Sequence, residues 1–317
     1  SWDIDVLYID YYFIFNVTIL LGNTMKILIA IGGREYSKPT LDLGMKIANS
    51  FKSSTTIAYV GKKISQFSEK DVSVVHQNLD ERELYRPGIR TLEWAYDFLI
   101  SKEYIQEKVA NKFDDYLLVD EENSRMKVLL KGQQSDKIDL IMLTGEIIEQ
   151  LKNEVENNNH DITIIGGGGN TGIHQKLIQF IDSSVFVVKN YSVKKKYKIL
   201  LPVNDSKGSD MAIETAINFA KSYKLNVEIV SVPEGNKPID EVENILKKTK
   251  EKFSKNRIRT STKLIDGTPV NSIIDYAKDN SIIILGVSPK NSIMKYFFGS
   301  KPLSIAQKCN CPVLITK

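Results

Sequence analysis

Short apolar runs recur along the chain and alternate with longer stretches in which apolar residues return every three or four positions. The runs Ile27–Ile31 and Ile282–Leu285 are apolar throughout, which is typical of parallel strands buried on both faces. Segments 209–223 and 270–279 place apolar residues on one face of a helix, and Pro269 stands where such a helix begins. This alternation predicts an α/β fold, doubly wound around a mainly parallel sheet.

The same pattern occurs twice. The strand, helix and strand of residues 26–60 are echoed by those of residues 198–232, and both copies then pass through a glycine-led helical stretch to two further apolar runs. An internal repeat of this size predicts two similar domains in tandem, 25–190 and 198–317, joined by the polar linker 191–197.

The copies differ most after their second strand, where the first copy inserts about 77 residues, 61–137. Within this insertion, Arg90–Phe113 has the periodicity of an amphipathic helix, and Tyr116–Val119 and Met126–Leu130 predict a β-hairpin. The insertion is compatible with a regulatory or partner surface and equally with loop elaboration that has no function.

The first 24 residues stand apart from the repeat, because Met25 directly precedes the first strand and looks like a natural start. We interpret residues 1–24 as an upstream extension or as an addition foreign to the natural chain. Their apolar stretch is too short to span a bilayer, and Asp3, Asp5 and Asp10 stand where a signal peptide carries basic residues.

Composition is that of an ordinary soluble protein, with 42% hydrophobic and 26% charged residues. The net charge of +4 comes from 43 basic and 39 acidic residues that are interspersed, so the sequence favours neither nucleic acid nor a membrane as the main partner.

Cys309 and Cys311 are the two cysteines, and a disulfide between residues so close in sequence would be strained. We therefore expect reduced thiols in a cytoplasmic protein, serving as small apolar residues before the last strand. The three histidines lack ligand spacing with each other and with the cysteines, so no zinc or transition-metal site is predicted.

The strongest site signal is the spacing Gly286-x2-Pro289-x9-Gly299-Ser300, which follows a buried strand and leads into a helix. Gly286 would let the backbone turn and a ligand approach without a Cβ in the way. Gly299 and Ser300 would offer N–H groups and a hydroxyl at a helix N-terminus, which attracts phosphate. A strand-to-helix turn without any ligand remains the alternative.

In this loop the chain resembles the universal stress proteins in their tandem two-domain form. Their nucleotide-binding members carry Gly-x2-Gly-x9-Gly-Ser/Thr, which matches here at three of four positions. The resemblance covers 26–189, the insertion excepted, and 198–317, and the ending Cys311–Ile315 is similar to the family's last strand. The resemblance implies two Rossmann-like domains of the adenine nucleotide alpha hydrolase type. It also implies that the ligand is ATP or another adenine nucleotide, bound together with Mg²⁺.

Carried over residue by residue, the resemblance implies a site with three parts. The adenine and ribose pocket would consist of Pro202, Val203, Asn204 and Val232, and the loop of Leu285, Gly286, Ser288 and Pro289. The phosphate end would consist of Gly299 and Ser300, and Lys301 would add a positive charge beside it. Asn204 replaces the family's aspartate and would still accept from a ribose hydroxyl, whereas Pro289 replaces a glycine and removes one N–H from the loop.

The first copy departs further from the family. Gly166–Gly169 resembles a phosphate loop, but the family's later glycine and serine fall on Gln179 and Phe180, and Gly32 stands at the aspartate position. The path to the last strand is about eight residues shorter than in the second copy. We therefore expect a degenerate site and a truncated last helix, and one nucleotide per chain, in the C-terminal half.

Enzymatic motifs are missing from the sequence: it has neither a Gly-x-Ser-x-Gly elbow nor a Walker-type Gly-Lys-Ser/Thr, and no catalytic residue is predicted. Asp205, Asp210 and Glu214 are candidate Mg²⁺ ligands, although acids at a helix start more often favour the helix dipole.

The favoured hypothesis is a stress-response binding or signalling module. The alternatives are a ligand-free interaction scaffold and a slow ATPase or self-phosphorylating protein in which Ser300 or a neighbour accepts phosphate. Family members pair through their last strands, so Val313–Thr316 is the expected pairing surface. That surface would serve an internal pseudo-dimer, a homo-oligomer or an unknown protein partner.

Overall fold

The structure is a computed structural model. It describes residues 24–61, 88–105, 116–120, 125–130, 137–168, 171–235, 237–287 and 300–317. The predicted extension up to residue 23 and three positions of the predicted loop, Ser288, Pro289 and Gly299, lie outside the described residues.

The N-terminal half contains seven strands and four helices among its described residues. The strands are β1 (Lys26–Ile31), β2 (Ser54–Gly61), β3 (Tyr116–Asp120), β4 (Arg125–Leu130), β5 (Ile138–Thr144), β6 (Ile162–Gly166) and β7 (Ser184–Val188). The helices are α1 (Arg34–Phe51), α2 (Ile89–Ser101), α3 (Ile147–Asn158) and α4 (Thr171–Phe180).

The C-terminal half repeats this order without the insertion. Its strands are β8 (Lys198–Pro202), β9 (Val227–Ser231), β10 (Thr260–Leu264), β11 (Ser281–Gly286) and β12 (Val313–Thr316). Its helices are α5 (Lys207–Tyr223), α6 (Ile239–Lys255), α7 (Pro269–Ala277) and α8 (Ser300–Lys308).

All twelve described strands form one sheet, in the order β10-β9-β8-β11-β12-β7-β6-β1-β2-β5-β4-β3. Pairing within each copy is parallel, apart from the hairpin β3–β4 and its contact with β5, so the predicted α/β class and the predicted hairpin are confirmed. The two halves meet where β12 pairs antiparallel with β7, with Leu314 opposite Phe186. The predicted pairing of the last strands within one chain is therefore confirmed.

Both faces of the sheet are buried, as the continuous apolar strands predict. Along β1, for example, Ile27 and Ile29 contribute to one apolar cluster and Leu28 to the other, and each cluster contains residues of both halves. Helices of the two halves also meet across the seam, where the Phe51 and Phe219 rings lie 5.2 Å apart. None of the helices within the described ranges is long and apolar enough to cross a membrane.

The repeat extends to single hydrogen bonds in the loops. After the first strand of the N-terminal copy, the Gly32 N–H donates to Ser37 Oγ at 2.8 Å, and in the C-terminal copy the Asn204 N–H donates to Ser209 Oγ at 2.9 Å. The same loop therefore leads into the first helix of each copy.

Two expected helix lengths are wrong. The helix expected over Arg90–Phe113 ends at Ser101, because the chain turns at Lys102 and Glu103 takes a φ of 59°, which breaks the helical hydrogen-bond series. Within the described residues the last helix of the first copy is not the shorter one, since α4 has 10 residues and α8 has 9.

Candidate functional site

A cavity of about 340 Å³ lies at the carboxyl ends of β8, β9 and β11, between α7 and α8. This is the edge at which open α/β sheets bind ligands. Seven of the residues predicted for the site line the cavity: Pro202, Val203, Asn204, Val232, Leu285, Gly286 and Lys301. Ser300 begins α8, whose Lys301, Pro302 and Ile305 form one wall.

Asn204 is held in a network of serine hydroxyls at the start of α5. Ser206 caps the helix by accepting from the Ser209 N–H at 3.2 Å. Ser206 Oγ and Ser209 Oγ both donate to Asn204 Oδ1, at 2.6 and 2.8 Å. The serines thus occupy both lone pairs of this oxygen, and acceptance from a ribose hydroxyl stays a prediction that requires a serine hydroxyl to turn away. In the arrangement seen here Asn204 is suited to donate from its Nδ2 amide.

Gly286 is required by packing against the protein itself. A Cβ added there would lie less than 3.0 Å from three backbone atoms of Gly208, in the first turn of α5. The interpretation of Gly286 as an opening for a ligand is therefore wrong: the space beside its Cα is filled by a helix. At the equivalent glycine of the first copy, Gly166, the nearest atom is the Thr40 hydroxyl at 3.0 Å.

Lys301 does not stand alone at the cavity. Its ammonium forms an ion pair with Glu234, in the loop after β9, and both side chains are partly exposed, at 48% and 39%. Sequence reasoning missed Glu234, although an acidic residue just after the second strand of the copy lies at the same sheet edge. A phosphate that binds Lys301 must compete with this carboxylate.

One glycine of the run in the first copy, Gly167, packs against its own chain. The Gly167 N–H donates to the Val188 carbonyl at 2.7 Å. A Cβ on Gly167 would meet Cγ of Lys189, so the lysine stem lies against this glycine. The Gly167 N–H is thus not available to a phosphate, in keeping with the expected degenerate site.

The acids considered for Mg²⁺ are not gathered around a common point. Asp210 pairs with Lys252 at 3.0 Å. Within the described ranges no group of three or more His, Cys, Asp or Glu side chains could hold a metal ion.

Residues 197–317 match the universal stress protein family. Among curated proteins, a universal stress protein of Methanocaldococcus jannaschii is 27% identical over 138 residues, which cover 38% of this chain and 81% of that protein. One of Bacillus subtilis is 26% identical over 147 residues, which cover 38% of this chain and 98% of that protein.

Solved structures extend the likeness to both halves. A universal stress protein of Archaeoglobus fulgidus covers 92% of this chain and 96% of its own, with a TM-score of 0.61 at 14% identity. A Pseudomonas aeruginosa protein described as a putative universal stress protein covers 94% of this chain and 95% of its own, with a TM-score of 0.59 at 13% identity. These matches show the tandem fold. A universal stress protein in complex with cAMP covers 39% of this chain and 99% of its own, with a TM-score of 0.32 at 16% identity. One of Archaeoglobus fulgidus in complex with dAMP covers 38% and 98% of the two chains, with a TM-score of 0.31 at 18% identity.

Proposed function

We propose that the C-terminal half, whose residues 197–317 match the universal stress protein family, binds one adenine nucleotide and acts as a stress-response binding module. The observation that carries the proposal is the cavity itself, because seven of the eleven residues predicted for the site line it together. The proposed setting is the cytoplasm, where Cys309 and Cys311 would remain free thiols.

The cavity has the size and chemistry that a nucleotide needs. Its volume falls within the range of small-molecule pockets, which is about 300 to 1,000 Å³. Val232, Ile273 and Leu285 provide apolar walls for a base. Asn204 offers an amide donor to a base or ribose oxygen or nitrogen, and Lys301 lies in the first turn of α8, where the helix dipole favours an anion.

Binding without catalysis fits this set of residues best. Mg²⁺, if present, would be brought by the nucleotide phosphates and their water shell, since Mg²⁺ needs few protein ligands in such sites. The alternative role of a scaffold without ligand predicts that the cavity stays empty at millimolar concentrations of nucleotide.

Isothermal titration calorimetry of the full chain with ATP and Mg²⁺, with AMP and with adenosine tests the proposal. We expect saturable heat with a stoichiometry of one per chain for at least one of the three. Guanosine nucleotides serve as the control for base recognition. Absence of heat with all three adenine compounds would overturn the proposal in favour of the scaffold.

The ion pair at the cavity predicts opposite effects of two substitutions. Glu234→Gln releases Lys301 for the ligand and should tighten ATP binding, whereas Lys301→Gln should weaken it. Each change should be about three- to fivefold, as expected for a partly exposed ion pair worth up to about 1 kcal/mol. Calorimetry with ATP measures both.

Adenosine binding should stay unchanged in the two variants, because adenosine carries no phosphate. Lys252→Gln is the matched control, since it removes a comparably exposed ion pair with Asp210 on helices α6 and α5. Equal losses for ATP and adenosine in Lys301→Gln would mean that Lys301 does not lie at the phosphate end.

A further inference from the structure

The cysteines lie side by side in the loop between α8 and β12. Their Sγ atoms are 2.8 Å apart, and the Cys311 N–H donates to Cys309 Sγ at 3.3 Å. Both thiols are free, and their residues are 3% and 0% exposed. Asn310 between them is exposed, so the loop itself runs at the surface. Two sulfur atoms in mutual contact form a dithiol, which is more than the pair of small apolar residues expected from the sequence.

A lysine from the other half of the molecule stands beside this dithiol. Lys189, just after β7, donates from Nζ to the carbonyl oxygens of Ala306 and Gln307 at 2.6 and 2.8 Å, at the end of α8. The same Nζ lies 3.5 Å from the carbonyl oxygen of Cys309. Its charge offsets the negative end of the helix dipole, which would otherwise disfavour a thiolate at this position.

The surroundings separate the acidities of the two thiols. The hydrogen bond from the Cys311 thiol, aided by the Cys311 N–H and the Lys189 charge, outweighs burial and lowers the pKa of Cys309 to about 7. The same hydrogen bond raises the pKa of Cys311. Asp279 acts on Cys311 in the same direction, and His174, on α4 near Lys189, has a pKa lowered by burial. Near neutral pH a substantial fraction of Cys309 is therefore thiolate, while Cys311 keeps its proton.

We propose that Cys309 and Cys311 form a two-electron redox site, which a hydroperoxide converts to an intrachain disulfide. The Cys309 thiolate attacks the O–O bond, forming an S–O bond and releasing an alcohol, or water from hydrogen peroxide, after proton uptake. The Cys311 sulfur then attacks Cys309 Sγ, so that an S–S bond forms, the S–O bond breaks and the hydroxyl leaves as water with the Cys311 proton. Two thiols and one hydroperoxide give one disulfide, one alcohol and one water.

This disulfide belongs to the reversible class. A bridge between residues two positions apart closes a small, strained ring, and strained disulfides are more easily reduced. It also closes almost no loop of the unfolded chain and so adds little stability. The site is therefore suited to sensing an oxidant and not to fastening the fold.

Counting free thiols by mass spectrometry tests the proposal, because the whole chain has 2 cysteines. The full-length protein is treated with hydrogen peroxide, unfolded and alkylated with a maleimide. We expect two labels before treatment, none after it, and two again after dithiothreitol. Two labels after peroxide, or a covalent dimer on a non-reducing gel, would overturn the proposal.

Substitutions at Cys311 separate the two steps of the reaction. Cys311→Ala removes the hydrogen bond to the thiolate, so sulfenic acid formation at Cys309, trapped with dimedone at pH 7, should be about tenfold slower. That is the loss of reaction rate expected at pH 7 when the pKa of the Cys309 thiol returns from about 7 towards the usual value of about 8.5, because less thiolate is present. Cys311→Ser keeps a hydroxyl donor and should restore most of the rate without forming a disulfide.

Lys189→Met keeps the stem beside Gly167 and removes the charge, so it should slow sulfenic acid formation a few-fold, whereas Lys308→Met should not. Circular dichroism confirms that each variant is folded. If Cys309 reacts equally fast in the Cys311→Ala and Cys311→Ser variants, the thiol does not activate its neighbour and the proposed order of events is wrong.

Discussion

Substitution of Gly286 with alanine is expected to lower the free energy of unfolding of the C-terminal half by about 3 kcal/mol or more, at the upper end of the range for overpacked sites. The reason is that the new methyl group would overlap backbone atoms of Gly208, and backbone cannot turn aside as the tip of a side chain can. The first turn of α5 would have to move away from β11. Urea denaturation followed by circular dichroism measures the loss.

Gly166→Ala is the matched control, because Gly166 ends the corresponding strand of the first copy. Its nearest neighbour is the Thr40 hydroxyl, which can rotate, so a loss below about 1 kcal/mol is expected. A Gly286→Ala protein that is as stable as the parent but no longer binds nucleotide would restore the interpretation of Gly286 as a ligand contact.

Replacement of Glu154 by glutamine is expected to destabilise the N-terminal half by about 3 kcal/mol. Glu154, on α3, is buried and accepts from Arg125 Nε at 2.8 Å and lies 3.2 Å from His160 Nε2. Arg125 lies on β4, so this ion pair fastens the inserted hairpin to the parent domain. An amide in place of the carboxylate removes the buried negative charge that the Arg125 guanidinium and the His160 ring contact.

Glu156→Gln is the control on the same helix, because its pair with Lys152, at 3.6 Å, is exposed and should contribute less than about 0.5 kcal/mol. Urea denaturation at pH 7 compares the two variants. Similar losses from both substitutions would show that the buried carboxylate has no special role in holding the hairpin.

The Glu154 contribution should also depend on pH. Burial opposes ionisation, but the hydrogen bonds from His160 and Arg125 outweigh it and hold the pKa of Glu154 below its usual value. A lowered pKa in the folded state means that the stabilisation is complete above the unfolded-state pKa of about 4.3 and is lost as the pH falls through the folded value. The difference in stability between parent and Glu154→Gln should therefore shrink below about pH 4.

Much of the fold could be predicted because its signals are local and repeated. Ile27–Ile31 and Ile282–Leu285 are buried strands in the structure, and the hairpin and the paired last strands stand where the sequence indicates. Helix ends were harder to predict. The apolar spacing of Arg90–Phe113 continues beyond Ser101, but a backbone turn at Glu103 ends the helix, and spacing alone does not report that turn.

The candidate site was predictable in position and less so in chemistry. Strand ends converge at one edge of a parallel sheet, so the backbone topology brings Asn204, Val232 and Gly286 around one cavity. What each residue does there depends on contacts between distant segments. The serines that occupy Asn204 Oδ1 and the carboxylate that pairs with Lys301 are examples of such contacts, as is the helix that fills the space beside Gly286.

The antiparallel contact between β7 and β12 has a consequence for how this protein can evolve. When identical subunits pair through such an edge, every substitution appears twice, so a site cannot be given up on one side alone. Here the two partners are segments of one polypeptide, and each can change independently. In the N-terminal copy Lys189 packs against Gly167 and a hairpin is inserted, while the C-terminal copy has an open cavity. Covalent fusion thus permits a division of labour that a symmetric dimer of identical chains could not maintain.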